Sequence, residues 1–229
     1  MAAGAGRGTA AGIVRLTRVP ALDAELVRAE GVTRPTARHA HESLCLGVVT
    51  AGERRMDLEG GPVVARAGQG LVLPPGLVHA VTPLGPTSHV LLCLAPDAAL
   101  ALVRRVLPQA GPLSQLPGPV LDDAAFADGF LALGEAVGHG GDAMALQALA
   151  VDCLGRLLER ASVVAEGEGQ GEGRGQGGTP SEGPGPLPAP VALARDAILA
   201  DPATGMDMWA LAELAGMSPW ALSRAFRRH

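Results

Sequence analysis

The chain of 229 residues contains no lysine, no asparagine and no tyrosine, and only three cysteines, three phenylalanines and two tryptophans. All eighteen of its basic residues are arginine. Lys, Asn and Tyr have AT-rich codons, so their joint absence marks coding from a GC-rich genome rather than a functional constraint. Cys45, Cys93 and Cys153 are widely spaced and form no Cys-x-x-Cys pair, which excludes a sequence-local zinc or redox motif and makes reduced thiols the expected state. No run of about 20 apolar residues is present, and MAAGAGRGTAAG lacks the apolar centre of a secretory signal. A cytoplasmic protein without a membrane partner is therefore expected. The formal charge of -5 gives no global attraction to nucleic acid, so any DNA contact must come from a local element. No nucleophile beside a base and no carboxylate pair stands out. The expectation is a protein that is not an enzyme.

What is present is a hydrophobic content of 48 %, ample for a buried core, and a sharp change of composition at residues 166 to 190. That stretch, EGEGQGEGRGQGGTPSEGPGPLPAP, is dominated by Gly and Pro and cannot form a core. As a tether of about 25 residues it would span roughly 25 to 30 Å. Residues 1 to 30 are read as an N-terminal segment, 31 to 96 as a small barrel, 97 to 165 as a helical dimerisation or packing region, 166 to 190 as a linker and 191 to 229 as a small helical unit. The fold class is α+β.

Within the barrel region, SLCLGVV alternates Leu44, Leu46 and Val48, ERRMDLEGG ends at a Gly60-Gly61 turn, and GLVLPPG stops at a double proline. HVLLCLA, residues 89 to 95, would be the last strand. After Pro96 the periodicity becomes helical, with Asp97, Asp122 and Asp142 as candidate N-caps. The third helix, reaching about Val164, carries Leu146, Leu149, Cys153, Leu157 and Val164 at helical spacing. It could pack on its own barrel or on a second copy of the chain.

Gly68, Pro74, Gly76 and His79 are separated by five, one and two residues, and upstream lie His39-x-His41 and Gly52. These two blocks resemble the paired motifs of the cupin superfamily. Pro83 stands where that pattern has Asn, and Cys45 stands at the position of its acidic metal ligand. On a strand, His39, His41, Ser43 and Cys45 would share one face. The resemblance implies that His79 converges on them. Three imidazoles, with or without a thiolate, could bind zinc, copper or iron. Alternatively His39, His41, Cys45 and His79 contact a small organic effector. The latter is the expectation, with no metal and no cofactor assigned; His89 and His139 carry no motif.

Beyond the linker, VALARDAILAD reads as a helix with Val191, Ala194, Ile198 and Leu199 available for burial. Asp207 can cap MWALAELA, Gly216 supplies a turn, and Ser218-Pro219 opens PWALSRAFRRH. Leu211, Ala212, Ala215, Gly216, Met217, Leu222 and Ala225 fall where a helix-turn-helix needs apolar, small and turn residues. LAELAGMSPWALSRAFRRH closely resembles the first helix-turn-helix of AraC-type transcription regulators, and the preceding regions are similar to the effector and dimerisation domain of that family. The resemblance implies a homodimer that binds promoter DNA and a small-molecule effector. It places Trp220, Ser223 and Arg224 against bases or adjacent sugars, with Ser218, Arg227 and Arg228 at phosphates or solvent and Phe226 in the core.

An AraC-type domain would continue past His229 into a second helix-turn-helix, so half a DNA reader is expected here. In residues 191 to 229, Arg195, Arg224, Arg227 and Arg228 are balanced by Asp196, Asp201, Asp207 and Glu213, which predicts weak DNA binding by this half alone. The alternatives are a truncated dimerising regulator that titrates full-length partners and a metal-dependent cupin enzyme.

Overall fold

A computed structural model describes residues 12–106, 113, 116–167, 187–202 and 206–228, the side chains of 161–167 excepted. Val164 as a side chain, and most of the expected linker, lie outside the described residues.

Strands β1 (Ile13–Val19) and β2 (Ala24–Val32) form a hairpin across the turn Pro20–Leu22; β3 (Thr36–His39), β4 (Leu44–Ala51), β5 (Glu53–Leu58), β6 (Gly61–Arg66), β7 (Gly70–Leu73), β8 (His79–Pro83) and β9 (Thr87–Leu94) follow. All pair antiparallel. With the short β10 (Val120–Leu121) they make one sheet ordered β1-β2-β9-β4-β7-β10 and a second ordered β3-β8-β5-β6. The barrel therefore begins at Ile13. Residues 13 to 30, expected as a separate N-terminal segment, supply two strands of the larger sheet because β2 pairs with β9, about 55 to 70 residues away in sequence.

The helices α1 (Pro96–Val106), α2 (Ala124–Gly138) and α3 (Ala143–Gly167) cover the outer face of that sheet. Leu44, Leu46 and Val48 of β4 point to the helices, whereas Cys45 and Val49 point between the sheets, so alternation survives although every residue from Leu44 to Val49 is buried. Phe126 and Phe130 of α2 stack with ring centroids 5.8 Å apart and are fully buried. The Phe126 backbone N–H donates to Asp123, one residue after the expected cap, and Ala145 N–H donates to the expected Asp142 at 2.9 Å.

Three further helices close the chain: α4 (Ala189–Ala200), α5 (Met208–Leu214) and α6 (Pro219–Arg228). Asp207 accepts from Ala210 N–H at 2.8 Å and Ser218 Oγ from Ala221 N–H at 3.1 Å, so both expected caps form. Gly216 at φ 60 makes the turn between them, a conformation that costs a Cβ-bearing residue. Val191, Ala194, Leu211, Ala212 and Leu222 are buried, and Ile198, Met217 and Phe226 pack at the edge of the core. Leu199 is not part of that face: it is 69 % exposed.

The element that joins the two regions is α3, which packs on the Pro20–Leu22 turn, α1 and α2 and on α5 and α6. Gln147 of α3 makes the link polar as well as apolar. Its Nε2 donates to Ala21 O at 3.3 Å while its Oε1 accepts from Met208 N–H at 3.1 Å.

Candidate functional site

Between the two sheets lies a cavity of about 260 Å³, lined half by apolar and half by polar side chains, with His39, His41 and His79 grouped on it. His39 ends β3 and pairs in register with His79, the first residue of β8. His41 lies beyond the strand, in a loop whose His41 carbonyl accepts from Gly76 N–H at 2.8 Å. Ring centroids of the three imidazoles are 4.5 to 5.3 Å apart.

The histidine tautomers follow from their partners. His39 Nδ1 lies 2.8 Å from Ala37 O and His79 Nδ1 lies 2.9 Å from Leu77 O. A carbonyl only accepts, so each Nδ1 carries a proton, and in the neutral ring the lone pair then lies on Nε2. His39 Nε2 and His41 Nε2 are 3.1 Å apart, and one ligand atom from each of the three histidines falls within 4.8 Å of the others. Burial, then the neighbouring His39 and His79, lowers the pKa of His41; burial, then His39 and Arg54, lowers that of His79, against a raising bond to Leu77. Neutral imidazoles converging in this way could hold a divalent metal or hydrogen-bond an organic ligand.

Cys45 is not in this group. It is buried, and its Sγ lies 3.3 Å from that of Cys93, its cross-strand partner on β9, and 3.5 Å from Ser43 Oγ. The bond with Cys93 brings the Cys45 pKa down to about 7 despite burial, while Cys93 is pushed up by the same bond. The shared face expected for His39, His41 and Cys45 is broken because β3 stops at His39 and the chain leaves the strand before β4.

Three cavity residues were not singled out in the sequence. Arg54 of β5 is 9 % exposed, and its Nε and Nη1 are buried without a hydrogen-bond partner; Thr87 Oγ1 and His89 Nδ1 of β9 are likewise unpartnered. Burial holds the Arg54 pKa down at about 10, and burial followed by the Arg54 charge takes His89 to about 3. One signal was available: Arg54 lies two residues from Met56, a core residue, so the period of the strand turns both inward.

The C-terminal candidates sit together on α6, against α3. Trp220 is 6 % exposed, and its Nε1 donates to Glu159 at 2.9 Å. Arg224 pairs with the same carboxylate, Ser223 donates to Asp152, and Arg227 pairs with Asp152 at 2.8 Å. Both arginines also lie over the Trp220 ring, 5.4 and 5.6 Å from its centroid. Gly155 of α3 permits this approach: a Cβ there would lie 2.2 Å from Trp220 Cδ2. Ser218 is used as the cap of α6, and Arg228 is exposed.

A two-sheet barrel with an interior cavity and a helical cover defines a cupin-type, ligand-binding domain. The family model described as AraC-like ligand binding domain matches residues 22–154, more than half of the chain, and the chain belongs to that family. Solved structures similar to part of the chain include an oxalate decarboxylase of Bacillus subtilis (18 % identity, TM-score 0.33, 37 % of this chain and 26 % of that one). A conserved protein of unknown function from Streptococcus pyogenes (17 %, 0.33, 37 % and 75 %) and a cupin-2 domain protein from Shewanella frigidimarina (16 %, 0.32, 35 % and 78 %) are also similar. The chain thus spans about a quarter of the length of the oxalate decarboxylase. No curated protein matches the sequence. Among the described residues no helix is long and apolar enough to cross a membrane.

Proposed function

We propose that the protein is a ligand-responsive transcription regulator that binds promoter DNA sequence-specifically through α5 and α6, acting as a homodimer. The observation that carries this reading is the chemistry of the α3–α6 contact. Two carboxylates of α3, Asp152 and Glu159, occupy the polar groups of α6 that the AraC resemblance assigns to DNA. Carboxylates and phosphates compete for the same arginine donors. The described arrangement is on this reading the closed one, and a change in α3 that follows ligand binding in the barrel frees α6. Arg224 is then the base reader, able to donate two hydrogen bonds to guanine.

The test is selection from a random duplex pool at fixed salt, using the chain and its Asp152→Asn/Glu159→Gln variant. Enrichment of a defined motif by the variant, with Arg224→Ala relaxing sequence preference more than it weakens non-specific binding, is the expected result. Retention of duplex without any motif would reject the function.

A second reading, a metal-dependent cupin enzyme, is favoured by the convergence of His39, His41 and His79. Elemental analysis of protein purified without chelators separates the two, since an enzyme of this kind requires stoichiometric metal.

A further inference from the structure

Arg54 is the unusual group of the barrel. A guanidinium that is more than nine-tenths buried ordinarily has a carboxylate beside it, because an uncompensated buried charge is strongly destabilising. Arg54 makes no ion pair among the described residues, two of its donors are buried without a partner, and the cavity it lines contains no Asp or Glu. Thr87 Oγ1 and His89 Nδ1 stand on β9 of the opposite sheet, also unpartnered, so the vacant hydrogen-bonding capacity spans the gap between the sheets. These groups line one cavity, and the charged one among them, Arg54, lacks an acceptor bearing negative charge.

We infer that the cavity binds a small organic monocarboxylate, its carboxylate held by Arg54 and Thr87 and its apolar body against Val27, Val81 and Leu91. The count of charges favours a monoanion. Among the described residues Arg54 is the one buried cation on the cavity, Arg34 is exposed at its edge, and burial favours the neutral form of His41, His79 and His89. A phosphate dianion would leave one charge unmatched beside the single buried guanidinium, and the apolar side chains of the wall offer it nothing. A carboxylate with a short hydrocarbon body satisfies both halves of the cavity: charge-assisted hydrogen bonds at one end and apolar burial at the other.

The inference deepens the reading of the barrel as a ligand sensor and rests on it, but not on DNA recognition. Its test is therefore made on the chain without DNA, so that a failure to select a DNA motif and a failure to bind carboxylate are separate outcomes. The probes are butyrate and benzoate, their neutral counterparts butyramide and benzamide, and inorganic phosphate, each titrated calorimetrically and scored by thermal shift. At least one carboxylate is expected to bind and to raise Tm, and its amide to bind at least about tenfold more weakly, the scale of a lost charged hydrogen bond.

Arg54→Met should abolish that discrimination while leaving Tm without ligand unchanged or raised, since an uncompensated charge is replaced by an apolar chain of similar reach. Binding of neither carboxylate, equal binding of the amide, tighter binding of phosphate, or undiminished carboxylate binding by Arg54→Met would each overturn the inference. A large fall in Tm of the unliganded variant would do the same, because it would show that the guanidinium already has its partner.

Discussion

The barrel and α6 treat their polar side chains in opposite ways. In the cavity, Arg54, Thr87 and the half-buried His89 hold buried polar atoms with no partner; on α6, Trp220, Ser223, Arg224 and Arg227 are all engaged by two carboxylates of α3. Unsatisfied buried groups cost free energy that a bound ligand can return, whereas satisfied surface groups must be released before they can bind anything else. On the proposed function the two regions differ in the same sense: the cavity gains a partner, and α6 exchanges one. Among the described elements α3 makes the most extensive contact with α6, and it is bonded to both regions through Gln147, Asp152 and Glu159.

The sharpest way to separate the regions is to weaken one and watch the other. Phe126 is fully buried between α2 and the larger sheet, so Phe126→Ala should cost about 3 to 5 kcal/mol in urea unfolding. If the barrel carries α3 and α3 carries α6, Trp220 should become exposed in the same transition. A separate, later transition for Trp220 would break the coupling.

The reverse experiment acts on the contact. Gly155→Val places a side chain where Trp220 sits, and should cost about 1 to 3 kcal/mol or detach α6. In a Trp209→Phe background the emission of Trp220 should move to the red while barrel unfolding is little changed. Emission that stays blue would show that α6 can repack on α3.

A smaller effect tests the cavity from within. His89 has its pKa depressed to about 3 by burial and by Arg54, below its ordinary value near 6.5. Between these values the unfolded chain is protonated at His89 and the folded chain is not, so stability falls as pH drops below about 6.5. Relative to the native protein, His89→Gln should lose less, by about 1 kcal/mol per pH unit between pH 6 and 5. Parallel curves for the two proteins would contradict the burial of a neutral His89.

The smallest effect is expected at Leu199, exposed on α4: Leu199→Ser should change stability by no more than about 0.5 kcal/mol, as chemical denaturation would show.

Local signals in the sequence located most helical elements because caps and turns act over a few residues: Asp142, Asp207, Ser218 and Gly216 all serve as their spacing implies. Asp123 replacing Asp122 as a cap shows the usual limit of such reading at helix ends. The His39, His41 and His79 group was legible through motif spacing, although the break between β3 and β4 that excludes Cys45 was not. The strands of residues 13 to 32 escaped notice because the hairpin joins the sheet only through the pairing of β2 with β9, a long-range property. Arg54 was hidden for a different reason: an arginine in ERRMDL reads as a solvated edge until its parity with Met56 is used. The covering of Trp220 and Ser223 depends on α3 side chains some 60 to 70 residues upstream, which no local pattern discloses.

The central claim, that α3 holds a DNA-binding face closed, is tested most directly by the salt dependence of duplex DNA binding. Asp152→Asn/Glu159→Gln should bind a random duplex more tightly than the native chain, with a log–log salt slope steeper by about 1, the phosphate contact of Arg227. The comparison is made against Glu59→Gln/Asp128→Asn, which removes the same charge from exposed sites away from α6. A slope that matches this control would contradict the account.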